Sequence, residues 1–209
     1  MKVLVLGATG GTGRLIVQQA VAAGHEVVAL VRDKAKAGQL TGASLVEGDA
    51  RSQEALAVAL VGCDAIVSAL GTGVSPFKQV SLLSTATEAL VAQMEQRGVR
   101  RLVCITGLGA GDSRGHGGFL FDNVIMPLLL RNVYADKDRQ EAIVRGSSLD
   151  WTLVRPMVLT DKTATNKIEA LVDLATVHGG TISRSDVAKF VVKELSERRW
   201  LRQAPLIRG

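Results

Sequence analysis

The sequence predicts an α/β protein: one doubly wound, mostly parallel sheet of seven or eight strands with helices on both faces. Three observations carry that prediction. Short apolar runs alternate with segments that suit helices along nearly the whole chain. The first run breaks into a glycine-rich turn that leads straight into a helix-like stretch. The 209 residues fit one compact domain, long enough to remove roughly 70% of the unfolded surface from water.

The strand-like runs are, in order, Lys2 to Leu6, Glu26 to Val31, Ser44 to Glu47, Ala65 to Ala69, Arg101 to Thr106 and Trp151 to Arg155. Right-handed crossovers between parallel strands put helices on both faces. Ligands then bind at the carboxyl ends, near the switch point between the first and fourth strands. After the first run, Ile16, Ala20 and Ala23 recur at helical spacing, and Gly24 suits the cap before the second strand. A final helix is expected from about Ser185 to Arg198, with Val187, Phe190, Val191 and Leu195 on one face and a Ser183-x-x-Asp186 start signal. A last short strand is expected at Pro205 to Ile207. Between these, Gly107 to Gly118 reads as a long glycine-rich loop that either closes over a substrate or lies free on the surface. The apolar stretch Phe119 to Leu130 reads as core packing in preference to a pocket lining, because apolar helical stripes usually pack. In 159–180, Ile168, Leu171 and Val172 fit a helix, with a strand as the alternative.

The turn Gly7-Ala8-Thr9-Gly10-Gly11-Thr12-Gly13-Arg14 carries the strongest chemical signal. A parallel strand that enters a helix through glycines aims backbone N–H groups and the positive end of the helix dipole at a pyrophosphate. Gly7 makes the tight turn, Gly10 lets the backbone approach phosphate, and Gly13 lets the helix pack closely on the sheet. Arg32 directly follows the second strand, where a side chain meets the adenosine ribose. An arginine there neutralises a 2′-phosphate, which favours NADP(H) over NAD(H), while the neighbouring Asp33 keeps NAD open. Arg14, on the first helical turn, is a second candidate for phosphate. Asp49 follows the third strand and either bonds the adenine amino group, with Ala50 against the ring, or caps the helix that begins near Ser52. Ala69, Leu70 and Gly71 end the fourth strand with residues small enough for a cofactor to lie across it.

Composition narrows the alternatives. The net charge is +5 with a pI near 9.5, but aromatic residues make up only 3%, too few for the stacking platforms of single-strand nucleic-acid binders. The basic tail from Glu197 to Arg202 reads as a solvated helix end. Cys63 and Cys104 stand 41 positions apart with no CxxC pattern, which speaks against a metal site, and Cys104 reads as a small core residue. The N-terminus starts directly in a strand, and the longest nearly uncharged stretch, 115–130, is too short to span a bilayer, so a cytoplasmic location is expected.

Gly-Ala-Thr-Gly-Gly-Thr-Gly-Arg, Leu-Val-Arg-Asp at 30–33, Gly-Asp at 48–49, Ser148 to Pro156 and Thr181 to Ala188 together resemble the atypical short-chain dehydrogenase/reductases. Within them, the chain is most similar to the NmrA-like proteins and the biliverdin-IXβ reductase/flavin reductase group. The resemblance implies a single Rossmann domain over 1–209, with a small substrate-side portion at 156–184. It implies NADP held through Gly7, Thr9, Gly10, Gly11, Thr12 and Arg32, with nicotinamide near Thr106 and Pro156, and Met157 counts among the expected cofactor-binding residues. It also exposes a departure. The family reduces carbonyls with a serine and a Tyr-x-x-x-Lys pair, whereas Tyr134 stands three residues before Lys137. That step turns the side chain by about 100° relative to a four-residue step. Val133 falls at the tyrosine position, and Thr106 is the nearest hydroxyl to the expected serine. Lys137 either bonds the nicotinamide ribose or pairs with Glu141 on an exposed helix face.

An intact fingerprint beside an incomplete proton relay predicts an NADPH-dependent reductase acting on a conjugated acceptor (flavin, quinone, tetrapyrrole or dye-like) that needs little proton help from the enzyme. The alternative is a non-catalytic NADP(H)-binding redox sensor of the NmrA-like type. A carbonyl reductase that uses Tyr134 requires Tyr134 and Lys137 to converge in space. The expected partner is a small-molecule acceptor, with no nucleic acid and with monomer and dimer both open.

Overall fold

The structure, a computed structural model, describes residues 1–209 except Lys36, Gln39, Thr176 and His178. Its main sheet contains β1 (Lys2–Leu6), β2 (Glu26–Val31), β3 (Ala43–Glu47), β4 (Ala65–Ser68), β5 (Arg101–Ile105), β6 (Asp150–Pro156), β8 (Glu169–Leu171) and β10 (Leu206–Arg208). They run in the order β3-β2-β1-β4-β5-β6-β10-β8. All neighbours are parallel except β8, which pairs antiparallel with β10 at the edge. β7 (Val158–Thr160) and β9 (Thr181–Ser183) form a separate parallel pair. The chain winds outward from β1 to β3, then returns to β4 on the other side of β1, so the switch point lies between β1 and β4.

Alternation along β1 explains why its apolar run is continuous. Val3 and Val5 enter one core, beneath α1 (Gly11–Ala22) and α5 (Arg184–Glu197). Leu4 and Leu6 enter the other, beneath α2 (Gln53–Ala59), α3 (Leu82–Arg97) and α4 (Arg131–Gly146). A parallel strand covered on both faces reads as a nearly continuous apolar run.

Two expectations need correction, and one open alternative is narrowed. In 159–180 the structure forms β7 and β8 and no helix among the described residues. Leu171 and Ala170 pair with Leu206 and Ile207, so a free sheet edge, absent from local sequence, decides the conformation. The stretch Phe119 to Leu130 is not core. It ends in a π-helix, Phe121–Leu130, with Pro127 inside it, and only Met126 is buried there while Phe119, Leu120 and Leu128 are exposed. The segment leads from the loop after β5 into α4, and most of its apolar side chains are left exposed or half-buried. The glycine-rich loop is not loose. Ser113 Oγ accepts from Gly109 N at 2.9 Å, Asp138 accepts from Gly111 N at 2.8 Å, and Arg114 pairs with Asp138 at 2.6 Å. Among the described residues no helix is long and apolar enough to cross a membrane.

A buried carboxylate joins the two helices beside β5. Ser81, at the start of α3, makes no side-chain cap. Asp136 of α4 supplies one instead, accepting from Leu83 N at 2.8 Å, Ser84 N at 3.3 Å and Ser84 Oγ at 2.5 Å. Asp136→Ala strands these donors without water, and it is expected to lower stability by about 3 kcal/mol. Urea unfolding followed by circular dichroism measures this, and a loss below about 0.5 kcal/mol would show that the cap contributes no more than a surface pair.

Candidate active site

The turn after β1 owes its shape to missing side chains. Gly7 has φ +75°, and a Cβ there would stand 2.4 Å from the carbonyl oxygen of Ala69 at the end of β4. A Cβ at Gly13 would stand 2.0 Å from the Gly7 oxygen, so α1 can begin against the strand end only because Gly13 has none. Gly10 differs, since a Cβ there would meet nothing closer than the Gly7 oxygen at 3.4 Å. It lies open toward the cleft. α1 has no side-chain cap and no acidic residue in its first turn, which leaves its N–H groups for an external anion.

Above this turn lies a cleft of about 540 Å³ along the carboxyl ends of the strands. Gly7, Thr9, Gly10, Gly11, Thr12, Arg32, Asp49, Ala50, Ala69, Leu70, Gly71, Thr106, Lys137 and Pro156 all line it. Met157 does not. It is buried and lines an adjoining hollow of about 270 Å³ with Gly107, Leu108, Phe121, Tyr134, Val158 and Leu159. The cleft and the hollow share Thr106, Lys137, Pro156 and Leu159. The glycine cradle, the uncapped helix and the cationic Arg32 at the β2 end fit a dinucleotide.

Asp49 does not cap α2. Ser52 does, accepting from Ala55 N at 3.1 Å. The Asp49 carboxylate instead holds Arg51 through its backbone N at 2.8 Å and its guanidinium at 2.6 and 3.0 Å. Hydrogen bonds from that side chain, first of all, draw its pKa down to about 2.

The three residues expected at the chemistry do come together, in roles that differ from the family pattern. Lys137 Nζ donates to the backbone oxygen of Thr106, and burial pushes its pKa below the ordinary lysine value. The exposed pair with Glu141 does not form. The Thr106 hydroxyl, the expected stand-in for a catalytic serine, donates to Glu141 Oε1 at 2.8 Å, so its proton is committed to the interior. Tyr134 and Lys137 both face Gly107 despite their spacing: a Cβ there would lie 3.3 Å from the tyrosine hydroxyl and 3.8 Å from Nζ, and Nζ lies 5.9 Å from the centre of the tyrosine ring. Desolvation pushes the Tyr134 phenol up to about 12, the opposite of the activation a Tyr-Lys pair provides.

Beneath Thr106, Glu141 of α4 and Arg155 of β6 form a buried pair, 2% and 1% exposed, bonded through Nε at 2.9 Å and Nη2 at 2.5 Å. Arg155 also reaches the exposed Asp112. Sequence reasoning missed this pair. Its only signal is an arginine inside the apolar run Trp151 to Pro156, since a charge at a buried strand position must find a partner. Arg184, which also lines the cleft, lies within the stretch Thr181 to Ala188 that carries part of the family resemblance.

A family model described as NAD(P)H-binding matches residues 7–198. The chain belongs to this NAD(P)H-binding family. A Bacillus subtilis protein named an uncharacterized sugar epimerase, YhfK, is 32% identical over 95% of this chain and 89% of its own. The Saccharomyces cerevisiae protein YMR090W is 29% identical over 93% of this chain and 87% of its own. Among solved structures, the anaerobillin reductase ChuY of Escherichia coli O157:H7 has a TM-score of 0.83 at 24% identity, covering all of this chain and 97% of that one. A short-chain dehydrogenase/reductase of Veillonella parvula in complex with NADP has a TM-score of 0.78 at 14% identity, covering all of this chain and 94% of that one. At these identities the structural likeness establishes the fold. The membership agrees with the atypical short-chain dehydrogenase/reductase resemblance and with the reading of the cleft as a site for NAD(P)H.

Two predictions follow from the buried groups. Glu141→Leu leaves Arg155 buried without its main counter-charge and is expected to cost about 3–5 kcal/mol in urea unfolding, whereas the double variant with Arg155→Met recovers much of that loss. Equal losses in the single and double variants would show that the charge is not what destabilises. Cys104 is fully buried, and desolvation raises its thiol to about 12. At pH 8 a thiol reagent should leave it unmodified in the native protein and label it after unfolding; rapid native labelling would contradict this burial.

Proposed function

We propose that the protein is an NADPH-dependent reductase that passes hydride to a conjugated, largely apolar acceptor such as a flavin, quinone, tetrapyrrole or dye. The observation that carries this reading is the junction of a glycine-floored cleft with an apolar hollow at Thr106, Lys137 and Pro156. Bound in the cleft, the nicotinamide would supply the hydride. Gly7, Gly10 and the first turn of α1 would hold the diphosphate, and Arg32 would take the 2′-phosphate that separates NADPH from NADH. Lys137, on the Thr106 carbonyl at the junction, would orient the ribose.

Leu108, Phe121, Met157 and Val158 would seat the acceptor and exclude water from one side. Apart from Thr106, Tyr134 and Lys137 the hollow is lined by apolar side chains and backbone, which suits a conjugated acceptor better than the sugar named for the Bacillus subtilis relative. Tyr134 is the one phenol in the hollow, and its raised pKa makes it a poor proton donor at neutral pH. Catalysis then rests on proximity and orientation, with solvent as the proton source.

A second reading draws on the exposed apolar side chains of Phe119, Leu120 and Leu128. They would give a non-catalytic NADP(H)-binding regulator a surface for a protein partner.

Absorbance at the nicotinamide band, followed as FMN, a quinone and a dye are added in turn, tests the reductase reading. Acceptor-dependent loss of NADPH is expected, and NADPH binding without turnover on any acceptor would favour the regulator. Arg32→Ala should raise the NADPH KM roughly tenfold and leave NADH unchanged. Tyr134→Phe should keep kcat within about threefold, since a positioned general acid contributes roughly a hundredfold or more; a drop of that size would establish a tyrosine-dependent carbonyl reductase instead.

A further inference from the structure

The cleft holds cations at its two ends, Arg32 after β2 and Lys137 beside Thr106, yet a dinucleotide concentrates its bridging charge in the middle, over the glycine turn. The arginine of the turn itself is engaged elsewhere. Arg14 donates through Nε to the Thr9 oxygen at 3.1 Å and through Nη2 to the Ala37 oxygen at 2.8 Å, both backbone acceptors beside the turn. Arg184 stands in the central position. Its Cδ and Nε lie 3.1 Å from the point a Gly11 Cβ would occupy, at the first residue of α1.

Several interactions fix it there. Ser183 Oγ caps α5 by accepting from Asp186 N at 3.0 Å, and the Asp186 carboxylate accepts from Thr165 N at 2.9 Å and Asn166 N at 3.1 Å. From α1, Gln19 Nε2 donates to the Ser185 oxygen at 3.1 Å and to Ser185 Oγ at 3.3 Å. The two helices are thereby registered so that Arg184 falls over Gly11. Its guanidinium meets Asp161 Oδ1 at 3.0 Å, a carboxylate whose side chain is 88% exposed. Such a pair is weak and is readily exchanged for a stronger anion.

We propose that Arg184 is the cation that binds the diphosphate of the dinucleotide, held over the glycine turn by Asp161 until that anion displaces the carboxylate. This rests on the dinucleotide reading of the cleft. The guanidinium then completes the contact that the uncapped N–H groups of α1 begin, through charge-assisted hydrogen bonds to the phosphate oxygens. Because the diphosphate is common to both nucleotides, Arg184 sets affinity without choosing between them, a role separate from that of Arg32.

Calorimetric titration of NADPH and NADH into the wild-type protein, Arg184→Gln, Arg184→Lys and Asp161→Asn tests this without any turnover. Arg184→Gln should weaken both nucleotides by the same factor, roughly tenfold or more. Arg184→Lys should retain part of that affinity, and Asp161→Asn should bind as tightly as wild type or tighter. A purely structural pair predicts the reverse for the partner: Asp161→Asn would lose affinity as Arg184→Gln does. That result, or Arg184→Gln within twofold of wild type, overturns the proposal. If Arg184→Gln fails to fold, Asp161→Asn and Arg184→Lys decide it alone. A wild-type protein that binds neither nucleotide would overturn the dinucleotide reading itself.

Discussion

The closest constraint in the molecule is the approach of α1 to the strand ends. The Gly7 oxygen sits where a Gly13 Cβ would otherwise stand, and the Ala69 oxygen where a Gly7 Cβ would. With both positions bare, α1 starts against the switch point between β1 and β4 and presents its uncapped end to the cleft. α5 then packs on α1, and Arg184 comes to lie over Gly11 as a consequence of that stacking. A methyl group at Gly13 would move the floor of the cleft and everything registered to it.

The opposite wall depends on charge instead of close approach. Burying Arg155 and Glu141 costs solvation that their two hydrogen bonds repay only in good geometry. In return the pair fixes α4 against the end of β6 and Glu141 accepts a hydrogen bond from the Thr106 hydroxyl, while Lys137, one helical turn earlier, donates to the Thr106 carbonyl. Both polar groups of Thr106 are spent on position. Among the residues shared by cleft and hollow, this leaves Lys137 as the titratable side chain.

Much of the cleft was legible because backbone conformation dictates residue type there. Only glycine suits the positive φ of Gly7 or the contact at Gly13, so the spacing of glycines reports the turn directly. Arg32, Asp49 and Ala69 could be placed from their positions after strands that were themselves readable. The behaviour of Tyr134 was not legible, since the three-residue step argued against its approaching Lys137, yet both side chains reach the bare face of Gly107. For Asp49 the sequence left adenine binding and a helix cap both open, because either Asp49 or Ser52 suits the start of α2, and the Arg51 interaction together with the Ser52 cap removes the second of these. The apolar stretch 119–130 misled because apolarity signals burial only where a second layer exists to cover it.

By itself, then, the sequence determined the central strands β1 to β6, the glycine turn and the location of the cleft. These follow from local patterns: continuous apolar runs for strands buried on two faces, and glycines where a Cβ cannot fit. The tertiary structure decided the three-residue strands β7 and β8, the trans cap from Asp136, the Arg155–Glu141 pair and the seat of Arg184 over Gly11. Each of these joins residues distant in the chain, through a free sheet edge, a buried charge or the packing of one helix on another. No short-range pattern encodes such partners, because the energy that selects them exists only once the layers have come together.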